Sequence, residues 1–139
     1  MPGPPLSLLL LAGLAWYMMG VIWLIERVHY PLMRFADQAS YTAFHQQHMA
    51  RIFPVVGPAM LAELGLSAWW AWHAYQLWGA SGYFWGYAAV LAMSVLLFAS
   101  TFFVQTPQHN RLAAAWDAAL HRRLVRGNGP RTLLWTARA

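Results

Sequence analysis

Residues 6–25 read LSLLLLAGLAWYMMGVIWLI, and residues 83–104 read YFWGYAAVLAMSVLLFASTFFV. Neither stretch contains a charged side chain. An α-helix needs about 20 apolar residues to cross the hydrocarbon core of a bilayer, which is about 30 Å thick. Both stretches are long enough, so they predict two transmembrane helices. The first is preceded by no basic side chain and is long for a removable signal peptide, so we expect it to be retained.

A third span is predicted between them, over residues 52–78. Pro54 and Pro58 lie near its start, where neighbouring helices can satisfy the carbonyl groups that prolines release. The remaining polar side chains are few. Three of them, Glu63, His73 and Gln76, carry an ionisable or amide group.

The composition agrees with a membrane protein and excludes other classes. Of the 139 residues, 60% are hydrophobic and only 9% are charged, against about 25% in soluble domains. This excludes an ordinary soluble enzyme and a disordered chain, and it predicts one domain over residues 1–139 with the lipid bilayer as its partner. The net charge of +5 comes from an excess of arginine. These arginines would have to lie on a soluble folded face to bind nucleic acid, so nucleic acid is not expected as a partner. The absence of cysteine excludes disulfides and thiolate metal sites.

The arginines predict the orientation of the bundle. All nine fall after the first or the third span, which are on the same side after three crossings. The positive-inside rule then predicts a multi-pass protein of the inner membrane, with the N-terminus outside and the C-terminus in the cytoplasm. Aromatic side chains surround the opposite turn, as in an interfacial aromatic belt. They are Trp69, Trp70, Trp72, Trp78, Tyr83, Trp85 and Tyr87.

The C-terminal segment predicts a different kind of helix. Leucine or tryptophan recurs every four residues among arginines over residues 110–126, which is typical of an amphipathic helix on the membrane surface. Packing against the end of the bundle is the alternative. Residues 127–130, GNGP, predict a break before a short helix over residues 131–139. The predicted fold is therefore an all-α membrane bundle of three spans, one amphipathic helix and a short or partial fourth helix.

Histidines and glutamates at the predicted cytoplasmic side suggest a metal site. Glu26 and His29 are three residues apart, as are His45 and His48, so each pair shares one helix face. His109, just after the third span, can face them. Imidazole and carboxylate ligands suit iron, copper or manganese. The alternative for each pair is an interfacial polar group that contacts lipid headgroups or a backbone carbonyl.

Glu63 is the predicted catalytic residue. It follows Arg51 by twelve residues and so lies about 18 Å deeper, where ionisable groups usually mark function. We expect it to relay a proton or to complete the metal ligand set. The alternative is a protonated carboxyl that is hydrogen-bonded to the third span. The acceptors or donors available there are Ser94, Ser100 and Thr101.

Five short motifs resemble those of small bacterial membrane proteins of unknown function. They are YPL at 30–32, FHxxHxxRI at 44–52, VVxPxMxxE at 55–63, QxPxHNRL at 105–112 and RTxxWxxR at 131–138. The match covers roughly residues 23–139. It implies a four-helix membrane bundle, although Gly129-Pro130 replaces a common aromatic and the chain ends at Ala139, so a complete fourth crossing is not expected. It also groups five polar residues. They are His45, His48, Glu63, His109 and Arg111.

Two classes of function remain open. A more distant resemblance to anthrone-oxygenase-like membrane proteins implies oxidation of a hydrophobic aromatic. The first hypothesis is therefore a metal-dependent oxidoreductase that acts on a quinone-like or aromatic substrate, with the histidines and glutamates converging in one polar pocket. The second is a non-catalytic subunit of a homo-oligomer or of a larger membrane complex. A protein that binds b-type haem is a third alternative.

Overall fold

Four helices account for nearly all of the chain in the computed structural model, which describes residues 5–139 with the side chain of Gln38 left out. The first four residues of the predicted 1–139 domain lie outside this range. No strand occurs within it. The helices are α1 (Leu6–Met33), α2 (Gln38–Trp78), α3 (Gly82–Ala114) and α4 (Ala118–Arg138).

Three of these helices are long and apolar enough to cross a membrane, which confirms the predicted all-α membrane bundle. The predicted spans 6–25, 52–78 and 83–104 lie within α1, α2 and α3, but each helix extends further towards the arginine-bearing segments. α2 has 41 residues and is therefore about 60 Å long, roughly twice the thickness of the hydrocarbon core. It ends at Gly79, whose φ of 58° is a left-handed conformation that favours glycine.

The predicted organisation of the C-terminal segment is wrong. The amphipathic helix at 110–126 does not form as one unit, because α3 continues to Ala114 and α4 begins at Ala118. The predicted break at residues 127–130 is also absent, and α4 runs through Pro130 to Arg138. Pro130 is exposed, and the nearby buried Asn128 is held by Glu26 of α1.

Each helix packs against two neighbours, in the cyclic order α1, α2, α3, α4. Two buried apolar clusters hold the bundle together, and all four helices contribute to both. The first contains Met18, Ile22, Ala59, Met60, Leu97 and Trp135. The second contains Tyr30, Met33, Tyr41, Leu112 and Leu124.

Two π-helical turns interrupt α1 and α3. They span Ile25–His29 and Thr101–Gln105, and each ends two residues before a proline, Pro31 or Pro107. A proline ring clashes with the carbonyl four residues earlier in a regular α-helix. In both helices this carbonyl lies within the π turn, whose wider geometry relieves the clash. The proline therefore accounts for the position of the π turn. π turns often lie at functional sites, and these two contribute Glu26, His29 and Gln105 to the bundle interior or its edge.

Candidate functional site

Tyr30, His109 and His45 form a hydrogen-bonded chain across three helices. The Tyr30 hydroxyl lies 3.1 Å from Nε2 of His109. Nδ1 of His109 lies 3.0 Å from Nε2 of His45. Each contact needs one donor and one acceptor, so the chain can run in either direction: Tyr30 can donate to His109 and His109 to His45, or both bonds can reverse. Such a chain can move a proton along its length.

A second histidine pair lies beside this chain. Nε2 of His29 is 2.9 Å from Nδ1 of His48, and their rings are stacked. The His48 ring is also close to those of His45 and His109, with centroids 5.7 and 5.4 Å apart. We call His29, His45, His48 and His109 the histidine cluster. The sequence predicted that these four side chains converge, and they do so at the arginine-rich end of the bundle.

Glu63 does not join the histidine cluster. It lies fifteen residues beyond His48 in the same helix, about 22 Å along the axis. It is 1% exposed and forms an ion pair with Arg138 of α4. The Arg138 guanidinium also donates to the hydroxyl of Ser67, which is hydrogen-bonded to Ser94. Glu63 therefore holds helices together, and its expected place in the histidine pocket is wrong because an arginine of α4 binds it.

Glu26 is also separate from the histidines. Its carboxylate accepts a hydrogen bond of 2.7 Å from the side-chain amide of Asn128, which is fully buried. The Asn128 oxygen accepts in turn from Arg131, and Arg131 donates to Thr101. Glu26 thus belongs to a polar network with α4, and the expectation that it shares one site with His29 is wrong.

The predicted six-residue metal site is consequently not assembled. Within residues 5–139, no group of three or more histidine, aspartate or glutamate side chains is placed to hold a metal ion. The four histidines are close together, but their nearest nitrogens face each other in pairs. A metal ion could bind the histidine cluster only if these hydrogen-bonded pairs opened.

A cavity of about 230 Å³ lies beside the histidine cluster, between the two apolar clusters. Its polar lining includes Tyr30, His48, His109, Gln105 and Arg131. Most of its remaining lining is aliphatic, sulfur-containing or aromatic. These residues include Met18, Val21, Ile22, Ile25, Met49, Ile52, Phe53, Val56, Met60 and Phe102.

The volume and the mostly apolar lining of this cavity fit a small hydrophobic molecule. A cavity of about 150 Å³ can hold benzene, so this one has room for a substituted aromatic ring. Phe53 and Phe102 line the cavity and are also 68% and 61% exposed. The cavity therefore opens to the lipid-facing surface between α2 and α3. A ring could enter from the bilayer and present its polar substituents to Tyr30 and His109.

Arg131 and Arg138 are the site residues that the sequence reasoning did not select. They are seven residues apart on α4, two helical turns, and so share a face with Asn128 and Thr132. This polar stripe points into the bundle, since Asn128, Thr132 and Arg138 are buried while Leu133 is 67% exposed. In a membrane bundle the polar face of a helix turns inward, and that spacing is the signal that could have identified these residues.

Two ionisable groups at the start of α4 lie outside the spanning helices. Burial lowers the pKa of His121 below its usual 6.5, and the neighbouring Arg122 lowers it further. Hydrogen bonds from the backbone amides of Leu120 and Ala119 lower the pKa of Asp117 below its usual 3.8. Asp117 thereby caps the N-terminus of α4 as a carboxylate.

Comparisons with known proteins leave the resemblance seen in the sequence untested. No protein-family model matches the chain, and neither the curated proteins nor the solved structures give a significant match. The link to anthrone-oxygenase-like proteins therefore stays a prediction, as does membership of a larger complex. The function must be argued from the cavity and the side chains that line it.

Proposed function

We propose that the protein is an intramembrane oxidoreductase that binds a quinone-like or aromatic molecule in the cavity beside the histidine cluster. The observation that supports this most directly is that Tyr30, His48 and His109 line a mostly apolar cavity whose wall includes the exposed Phe53 and Phe102. Ligand sites commonly combine an apolar wall with a few convergent polar groups. A ring bound there would have its oxygen atoms next to groups that donate and accept protons.

Oxidation of a hydroquinone to a quinone releases two protons and two electrons. In this proposal a substrate hydroxyl passes its proton towards the Tyr30–His109–His45 chain, which lies at 3.0–3.1 Å spacing and can reverse its hydrogen bonds. A positioned imidazole is the commonest general base in proteins. His48 also lines the cavity and is the second proton acceptor in this proposal.

If an iron or copper ion were bound, the histidine cluster would hold it, and the ion would supply one-electron redox chemistry with dioxygen as the terminal oxidant. The histidine pairs are hydrogen-bonded to each other at 2.9 and 3.0 Å, so an ion would have to replace these bonds. Because Glu26 and Glu63 are engaged elsewhere, the ligand set is all imidazole. Imidazole suits copper and iron, whereas manganese prefers carboxylates, so manganese loses the support that the sequence gave it.

The arginine-rich end of the bundle, which contains the histidine cluster, faces the cytoplasm in this proposal. Seven exposed arginines support this orientation under the positive-inside rule. They are Arg27, Arg34, Arg51, Arg111, Arg122, Arg123 and Arg126. Arg138 is left out of this set of exposed arginines, because it is buried and paired with Glu63. The proposed site is thus near the inner leaflet, as the sequence predicted.

The test combines metal analysis with turnover. The purified protein in lipid nanodiscs is loaded with Cu²⁺ or Fe²⁺, washed, and analysed for metal per chain. Oxidation of a short-chain alkyl hydroquinone is then followed by absorbance. We expect about one ion per chain and measurable quinol oxidation with wild type, and loss of both in the H45A/H48A variant.

His73 provides a matched control, because it lies outside the histidine cluster and its ring stacks on Trp69. The H73A variant should keep both the metal and the activity. A wild-type protein that is folded by circular dichroism but binds neither ion and oxidises no quinol would contradict the proposal.

A further inference from the structure

Arg131 is a cation at the wall of an apolar cavity without a carboxylate in contact. Within residues 5–139, the ion pair between Arg138 and Glu63 is the only one, so Arg131 has no acidic partner at salt-bridge distance there. It nevertheless lines the cavity. A charged group inside a membrane bundle is costly unless it is paired, and it usually marks a functional site.

The guanidinium of Arg131 is held in a fixed orientation. One terminal nitrogen donates to the side-chain oxygen of Asn128 at 2.9 Å, and the other donates to the Thr101 hydroxyl at 2.7 Å. Asn128 is itself fixed by its 2.7 Å bond to Glu26. These contacts use two of the five N–H groups of a guanidinium. The Glu26 carboxylate is thus one amide away from Arg131 and orients its charge without neutralising it by direct contact.

We propose that Arg131 is the receptor for an ionised oxygen on the molecule that occupies the cavity, so that the site selects lipophilic aromatic acids or hydroxyquinones over neutral quinones. This inference rests on the proposed function, since it names the substrate class of the same cavity. An arginine held by two hydrogen bonds keeps its charge and offers its remaining N–H groups in a rigid fork that matches oxyanions. The apolar lining holds the ring, and Arg131 binds the oxyanion.

Two matched probes test this selectivity. One is a 2-hydroxy-3-alkyl-1,4-naphthoquinone, which is ionised at neutral pH, and the other is its neutral 2-methoxy analogue with the same alkyl chain. Binding to protein in nanodiscs is measured by isothermal titration, with empty nanodiscs subtracted to remove partition into lipid. Wild type should bind the hydroxyquinone at least about ten times more tightly than the methoxy analogue. In the R131Q variant the preference should fall to less than about threefold, while the methoxy analogue still binds.

Arg126 is the matched control, because it is an exposed arginine of the same helix. The R126Q variant should keep the wild-type preference, which separates a local contact from general attraction to a basic protein. If the R131Q variant does not fold, the R131K variant takes its place. Lysine keeps the positive charge but lacks the planar guanidinium, so the preference for the hydroxyquinone should be smaller than in wild type without being abolished.

The outcomes separate this inference from the proposed function. Equal binding of both probes to wild type, or an undiminished preference in R131Q, would overturn the role of Arg131 and leave the cavity as a quinone site. Binding of neither probe to folded wild type would overturn both.

Discussion

Glu63 and Arg138 form an ion pair in the bundle interior that joins the middle of α2 to the last turn of α4. The two helices are not neighbours in the cyclic order of the bundle, so this pair is a diagonal contact through its centre. Both side chains are almost fully buried. The ion pair therefore fixes the basic helix α4 against α2.

Removing one partner of this pair should strongly destabilise the protein. E63Q or R138Q alone leaves a buried charge without its counter-charge, which typically costs about 3–5 kcal/mol. The double variant E63Q/R138Q should lose much less than the sum of the two single changes. Thermal or denaturant unfolding in detergent measures the three differences. Additive effects would show that the two side chains do not interact.

The Asp117 cap should stabilise α4. Its carboxylate accepts hydrogen bonds from the amides of Ala119 and Leu120 at 2.8 and 2.9 Å. The D117A variant should therefore have a lower unfolding midpoint than wild type, whereas D117N should keep most of the stability. Asp37 precedes α2 but makes no such capping bond within the described residues, so D37A is the control. A D37A effect as large as that of D117A would argue against the cap.

His121 should make stability depend on pH in a defined direction. Burial and the neighbouring Arg122 lower its pKa in the folded protein below the usual 6.5. The unfolded chain therefore binds a proton more readily, so stability is fully present above pH 6.5 and falls as the pH is lowered below that value. H121F removes this contribution, and its melting temperature should fall less steeply than that of wild type between pH 7.5 and 5. Parallel curves for the two proteins would contradict this assignment.

Filling the cavity should abolish ligand binding and preserve the fold. Val56 lines the cavity, so tryptophan at this position occupies the space of the proposed ring. Leu61 is on the same helix but is 57% exposed, and L61W adds the same side chain outside the cavity. We expect V56W to reduce binding of an alkyl quinone at least about tenfold and L61W to leave it unchanged. Equal binding by both variants would place the ligand elsewhere.

Much of the fold could be predicted from hydrophobicity alone. The two charge-free stretches fixed the first and third spans, because few other environments accommodate 20 apolar residues in a row. The fourth helix could not be predicted in this way. Pro130 and two glycines indicated a break, and the deciding contacts are tertiary: Asn128 with Glu26, and Arg138 with Glu63.

The site was predictable only in part, for a related reason. Helical spacing places His45 and His48 on one face of α2, and the position of His109 after the third span brings it to the same end. The partners of Glu26 and Glu63 depend on whether the polar face of α4 turns into the bundle or away from it. Sequence periodicity did not determine this direction. The amphipathic helix at 110–126 was expected to lie on the membrane surface or to pack against the end of the bundle. In the bundle, α4 turns Asn128, Thr132 and Arg138 inward.

The occupancy of the cavity is the central claim, and photoaffinity labelling tests it most directly. An alkyl quinone that carries a diazirine next to its ring is bound to the protein in nanodiscs, irradiated, and located by mass spectrometry of the peptides. The account predicts labels on the cavity wall of α2, at Met49, Ile52, Phe53, Val56 or Met60, that disappear with excess unlabelled quinone. Labels confined to lipid-facing positions such as Leu61 or Leu96, or unaffected by that competitor, would contradict it.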